Sequence, residues 1–199
     1  MEARETSELV IRAVTEDDAE ALLSIYGYYV RETAVSFEYE TPGIDVFRAR
    51  IRRVKEEYPY LAAVLDGELV GYAYAVRFKE RAAYGWSVET TIYLRRDMKR
   101  RGIGGRLYAA LEDMLRRQGV LNLNACIACP ESEDEYLTLD SARFHERMGY
   151  ARVGEFHRCA CKFGRWYNIV WMEKAIGEHT AEPAPIRPWP EIEFGLPQN

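Results

Sequence analysis

The chain has 199 residues, 48% hydrophobic and 30% charged, the make-up of one ordinary globular domain with a real core. Lys and Arg number 27 against 32 Asp and Glu, and the formal net charge of -5 excludes nucleic acid or an anionic membrane as a whole-molecule partner. The opening MEARETSELV lacks an apolar leader and no run of about 18 apolar residues occurs, so a cytoplasmic location is expected.

Leu9 to Val14 reads as a first strand, and Thr15 with Asp18 three residues on forms a capping-box variant that starts a helix. Ala19, Leu22, Tyr26, Tyr29 and Val30 give that helix its apolar face; Phe47, Ile51, Val54 and Tyr58 mark a second, closed by Pro59. Leu61 to Leu65 and Glu68 to Ala75 flank Asp66-Gly67, the dipeptide of a two-residue hairpin turn. Trp86 to Leu94 is a third strand of this run. A basic, glycine-containing turn then leads into a helix carrying Ile103, Leu107, Leu111, Met114 and Leu115, which ends near Gly119.

Leu121 to Ala128 reads as a further strand, Asp140 as the cap of a short helix closed by Gly149, and Arg152 to Cys161 and Trp166 to Lys174 as the last strands. Five of the eight prolines (Pro183, Pro185, Pro188, Pro190 and Pro197) fall in residues 178–199, which reads as an extended tail rather than packed helix or sheet. The sum is one α/β (α+β) domain over residues 1–177, a mixed central sheet flanked by helices, followed by that tail. Cys126, Cys129, Cys159 and Cys161 lie on strands and read as small buried hydrophobes, with a tetrathiolate zinc site as the alternative; no metal is expected.

Arg95, Arg96, Lys99, Arg100, Arg101 and Arg106 cluster around Gly102, Gly104 and Gly105 in an otherwise acidic chain. Glycines let backbone N–H groups converge and the following helix adds the positive end of its dipole, which suits a pyrophosphate; the alternative is a solvated charged turn. G-x-x-x-x-G-K-[ST] is absent, and the dinucleotide pattern would need glycine at Leu107, so CoA is the phosphate ligand that remains. On the strand before this turn Glu89 is a carboxylate in an apolar run, sharing one face with Thr91 and Tyr93 while Val88, Thr90, Ile92 and Leu94 share the other. Burial would raise its pKa and make it a base for an ammonium, unless it is held in a structural ion pair.

Lys99-Arg100-Arg101-Gly102-Ile103-Gly104 resembles the [QR]-x-x-G-x-[GA] acetyl-CoA motif of the GNAT acetyltransferases, with Lys in the first place. Within that family the chain is similar to the phosphinothricin acetyltransferase group: IRAVTEDD, TAVSFEYE, YPYLAAVLDGELVGYAYA, FKERAAYGWSVETTIYL, GIGGRLYAALEDML, FHERMGYARVGEF and KFGRWYNIVWMEK match in order. The resemblance implies acetyl-CoA as co-substrate and a small-molecule amine as acceptor, phosphinothricin or methionine sulfone and sulfoximine being the first candidates. Peptide N-terminal or polyamine acetylation, and a CoA-binding interaction module without turnover, are the alternatives. It implies Glu89 as base and His145, in S-x-x-x-H, as a second catalytic residue. The cofactor would be held by Ile92, Tyr93, Leu94, Lys99, Arg100, Arg101, Gly102, Ile103, Gly104 and Gly105, with Thr138, in place of the usual Asn, and Ser141 further along. Lys79 and Arg81 would flank the acceptor, with Phe37, Tyr84 and Trp166 as aromatic walls. A homodimer is the expected assembly.

Overall fold

The computed structural model describes residues 8–192. In chain order it has β1 (Leu9–Ala13), α1 (Ala19–Glu32), α2 (Ile44–Glu57), β2 (Tyr60–Leu65), β3 (Glu68–Arg77), β4 (Ser87–Leu94), α3 (Ile103–Gln118), β5 (Asn122–Cys129), α4 (Asp140–Arg147), β6 (Ala151–Lys162) and β7 (Arg165–Ala175). The strands form one seven-stranded sheet in the order β1-β2-β3-β4-β5-β7-β6. Every neighbouring pair is antiparallel except β4 and β5, which are parallel because α3 crosses between them.

Strand alternation divides the core in two. Leu61, Ala73, Ala75, Val88 and Leu123 face α3, whose Leu107, Leu111 and Leu115 are at most 1% exposed and each contribute about 1.5–3 kcal/mol by burial. Tyr60, Ala62 and Tyr72 face the other way, against Leu22, Tyr26 and Val30 of α1 and Phe47 and Ile51 of α2. Asp66 (φ 51°) and Gly67 (φ 84°) both take the left-handed backbone that the two-residue hairpin demands. The Asp18 carboxylate accepts the Thr15 N–H at 2.7 Å, so the expected capping pair forms, with a 3-10 turn before α1.

Two expectations need correction. Asp140 opens α4 without capping it: Leu139 is the cap, because Glu133 accepts the Leu139 N–H (2.9 Å) and brings the helix start one residue earlier. Of the cysteines only Cys129 is buried; Cys126 and Cys159 are exposed, on strand positions not covered by a helix. The proline-rich segment is extended, as its composition implies, and through Ile192 it lies packed on the domain. Trp86 Nε1 donates to the Ala184 carbonyl (2.7 Å), Gln118 Nε2 donates to the Arg187 carbonyl (2.8 Å), and Trp189 and Ile192 enter the α3-side core. Phe194 lies outside the described residues.

Candidate active site

The parallel pairing of β4 and β5 spans only Ser87–Glu89 against Asn122–Asn124; beyond it the strands part. Side-chain hydroxyls hold the point of parting. Thr90 Oγ1 donates to the Asn124 carbonyl (3.1 Å), receives the Tyr108 hydroxyl (2.6 Å) and meets the Tyr150 hydroxyl at 3.0 Å. Backbone parity decides which groups face the gap. The Ser87 carbonyl accepts from Phe78 and the Arg95 N–H donates to Val70, so odd-numbered residues of β4 bond to β3. The N–H groups of Thr90, Ile92 and Leu94 therefore point into the opening.

A cavity of about 260 Å³ fills this opening, lined by Glu89 and Thr91 of β4, Cys126 and Ile127 of β5, and His145 of α4. Val35 and Tyr74 complete its walls. Glu89 has no hydrogen bond or ion pair to its side chain among the described residues, which removes the structural ion-pair reading. Burial raises its pKa, and the charge of Lys79 opposes that only in part. His145 is 3% exposed, with Nδ1 2.8 Å from the Ser141 carbonyl and Nε2 3.0 Å from the Tyr108 hydroxyl. Burial lowers its pKa, so the ring is neutral at pH 7, and its carbonyl partner places the proton on Nδ1. The adjoining Cys126, open to solvent on one side, has its thiol pushed up to about 11 by desolvation where it meets the cavity wall and is largely protonated at neutral pH.

A second groove, of about 170 Å³, shares Val35, Ile92 and Ser141 with this opening and lies between Ile92 and Leu94 on one side and Thr138 and Ser141 on the other. Gly102 stands at φ 79° as the helix cap, a conformation that favours glycine, and the first N–H groups of α3, on Ile103, Gly104 and Gly105, have no partner one turn back. A Cβ on Gly104 would meet Leu94 Cδ1 at 3.2 Å and Phe144 Cε2 at 3.4 Å, so that amide lies in a close cradle. Lys99 and Arg100 line the groove; Lys99 Nζ lies 5.5 Å from the Tyr29 ring centre, and Arg100 lies 3.5 Å from Asp140. Arg101 instead reaches Met98 Sδ at 3.1 Å. The Ile103 side chain is core, leaving its main chain to any ligand; the Tyr93 side chain packs on Tyr26 and Tyr29 and its main chain bonds to β3, so Tyr93 has no free amide for the cofactor. Exposed amides with cations beside them fit a pyrophosphate.

The five residues expected around the acceptor do not converge on one chain. Phe37 leans on Tyr167 (6.4 Å), Tyr84 on Phe78 (6.0 Å), and Trp166 is 62% exposed. Arg81 is exposed beside a 3-10 turn, and Lys79 Nζ lies 4.8 Å from the Phe78 ring centre. Sequence reading missed Thr90, Tyr108 and Tyr150. The one available signal was a hydroxyl at Thr90 on the otherwise apolar face shared by Val88 and Ile92. Among the described residues no group of three His, Cys, Asp or Glu could hold a metal, and no helix is long and apolar enough to cross a membrane.

A mixed sheet that parts beside a glycine-opened helix, with a carboxylate in the gap, defines a group-transfer domain served by a phosphate-bearing carrier. A family model described as an acetyltransferase (GNAT) domain matches residues 11–171, and the chain belongs to that family. It is 34% identical over 175 residues to a phosphinothricin N-acetyltransferase of Streptomyces coelicolor, covering 86% of this chain and 98% of the relative. An L-methionine sulfoximine/L-methionine sulfone acetyltransferase of Pseudomonas aeruginosa is 30% identical over 170 residues, 83% of this chain and 94% of the relative. In structure the chain is similar to a GNAT phosphinothricin acetyltransferase from Sinorhizobium meliloti solved in complex with AcCoA. The TM-score is 0.81 at 27% identity, covering 91% of this chain and 96% of that one.

Proposed function

We propose that this chain is a cytoplasmic N-acetyltransferase that moves the acetyl group of acetyl-CoA onto the amine of a small amino-acid-like acceptor of the phosphinothricin or methionine sulfone and sulfoximine type. The observation that carries the reading is the unpaired Glu89 carboxylate in the opening between β4 and β5, beside a groove lined by Lys99 and Arg100. Acetyl-CoA supplies the acetyl group as a thioester, which an amine attacks directly. Glu89, its pKa raised by burial, takes a proton from the acceptor ammonium, directly or through water. The Ile92 and Leu94 amides, facing the gap, donate to the thioester oxygen as charge develops on it. As the C–N bond forms and the C–S bond breaks, the proton lost from nitrogen balances the departing thiolate. His145, neutral and tied to Tyr108, serves as a second proton-handling group at the same opening.

We propose further that Gly102 to Gly105 hold the pyrophosphate, that Lys99, Arg100 and Arg101 meet the remaining phosphate charge, and that Thr138 and Ser141 border the arm of the cofactor. Arg81 and Lys79 receive the acceptor carboxylate, with Phe37, Tyr84 and Trp166 around it, once a second subunit brings these surfaces together. Val153 and Phe156 (each 60% exposed) and Trp166 on β6 and β7 offer the apolar face for that homodimer. Polyamine acetylation is disfavoured because Glu89 is the one acidic residue lining the cavity. A binding module without turnover predicts acetyl-CoA binding and no thiol release.

The test compares methionine sulfone, its carboxamide and spermidine as acceptors by acetyl-CoA-dependent thiol release, in wild type and Arg81→Ala. The free acid should be preferred, and Arg81→Ala should depress its kcat/KM by about 2–4 kcal/mol while sparing the amide. Equal losses make Arg81 structural, and a preference for spermidine overturns the acceptor class.

A further inference from the structure

On the α2 side of the sheet lies a cavity of about 510 Å³ whose floor is made of tyrosines. Tyr60, Tyr72 and Tyr74 project from β2 and β3 onto one face, as strand register requires: Tyr60 pairs with Tyr74, and Tyr72 with Tyr93. Tyr60 and Tyr72 are 3% and 1% exposed, yet neither hydroxyl has a hydrogen-bond partner among the described residues. Neither hydroxyl is sealed in the core as Tyr58 Oη is; both rings line the cavity. Of their neighbours, Tyr26 is engaged with Ser36 (2.9 Å).

Neither hydroxyl finds an acceptor among the described residues and both open onto the cavity, so both are free to donate to a ligand there. Burial holds both phenols well above their ordinary pKa, so they remain O–H donors throughout the range in which the protein works. No acidic residue lines the cavity, while Arg50 and Arg53 of α2 stand at its wall. Arg50 is paired with Glu38 (2.8 Å); Arg53 has no carboxylate within ion-pair distance among the described residues. Hydroxyl donors beneath guanidinium groups favour a ligand that brings oxygen acceptors and negative charge. Tyr74 lines both this cavity and the one that contains Glu89, so the two adjoin.

We propose that the tyrosine cavity is an oxyanion subsite, in which Tyr60 and Tyr72 donate to the distal phosphinate or sulfone oxygens of an acceptor whose amine lies at Glu89. The proposal rests on the acetyltransferase reading and adds to it: the acceptor is selected at its far end, by hydroxyls on a rigid sheet.

The experiment uses Tyr60→Phe, Tyr72→Phe and the double variant, which remove the donors and keep the rings. Methionine sulfone and norleucine, which lacks the sulfone oxygens, are compared as acceptors by thiol release. The double variant should raise KM for the sulfone at least tenfold and leave norleucine unchanged, while its Tm stays level because the lost hydroxyls bond to no group among the described residues. Equal changes for both acceptors, or none, overturn the subsite. A second arm follows dimethylphosphinate binding by NMR without any turnover. Binding to wild type that is lost in the double variant upholds the subsite even if neither amine is acetylated, an outcome that would instead sink the acetyltransferase reading. Absence of binding to wild type overturns the subsite. Should the double variant fail to fold, Arg53→Gln at the exposed rim replaces it, with a several-fold weaker dimethylphosphinate affinity expected and an unchanged one counting against the proposal.

Discussion

Thr90→Val changes one atom where the sheet opens, and its cost follows from the contacts that atom makes. The hydroxyl donates to the Asn124 carbonyl (3.1 Å) and bonds with the Tyr108 and Tyr150 hydroxyls, in a site where Thr90 is 5% exposed. Valine keeps the branch and the strand preference, so packing is nearly conserved. Tyr108 can turn to His145 Nε2, 3.0 Å away. The Asn124 carbonyl loses its side-chain donor and Tyr150 loses its Thr90 contact. At about 1–2 kcal/mol for each of these two groups, the lower part of the range for a buried group left wanting, the loss is about 2–4 kcal/mol. For a chain of this size that is a fall in Tm of roughly 5–15 °C. Thermal melts read it directly, and Thr90→Ser, which restores the oxygen, should recover most of the difference. A Thr90→Val melt within about 2 °C of wild type would refute the view that hydroxyls hold the strands at their parting.

Gly104→Asp should weaken acetyl-CoA binding at least tenfold, about 1.4 kcal/mol, since its Cβ meets Leu94 and Phe144 and its carboxylate faces the phosphate; calorimetry that finds no change removes the cradle. Trp189→Ala should cost about 3–5 kcal/mol in a urea melt, because this indole is 7% exposed within the main core; a cost below about 1 kcal/mol would mean that the tail merely rests on the surface. The raised pKa of Glu89 means its contribution to stability is present below the ordinary carboxylate range and is lost as pH rises through the raised value. Glu89→Gln, which mimics the protonated form, should therefore melt no lower than wild type at pH 7, and a clear destabilisation there would indicate a structural ion pair.

Periodicity made the elements legible because each has one face to bury: the Leu107, Leu111 and Leu115 stripe is the core side of α3, and Asp66-Gly67 forms the hairpin that its backbone freedom allows. The glycine turn was legible for a local reason too, since cations crowding an opened helix in an acidic chain point to a bound anion. The opening of the sheet was not, because it depends on a parallel register of three residue pairs and on hydroxyls arriving from Tyr108 and Tyr150, distant in sequence. The packing of Trp189 was legible, since so large a ring is costly to leave in water and prolines forbid helix and strand without forbidding contact. The acceptor residues were read by resemblance alone, and one chain leaves Arg81, Tyr84 and Trp166 at its surface.

The account stands or falls on Glu89 in the gap between β4 and β5. The direct measurement is the pH dependence of kcat/KM for methionine sulfone, followed by acetyl-CoA-dependent thiol release in wild type and Glu89→Gln. Wild type should lose activity as pH falls through the raised pKa of the base, and Glu89→Gln should be slower by roughly 10² to 10⁴ near neutral pH, with unchanged acetyl-CoA affinity and no such acid limb. Normal turnover by Glu89→Gln from pH 6 to 9 would contradict it.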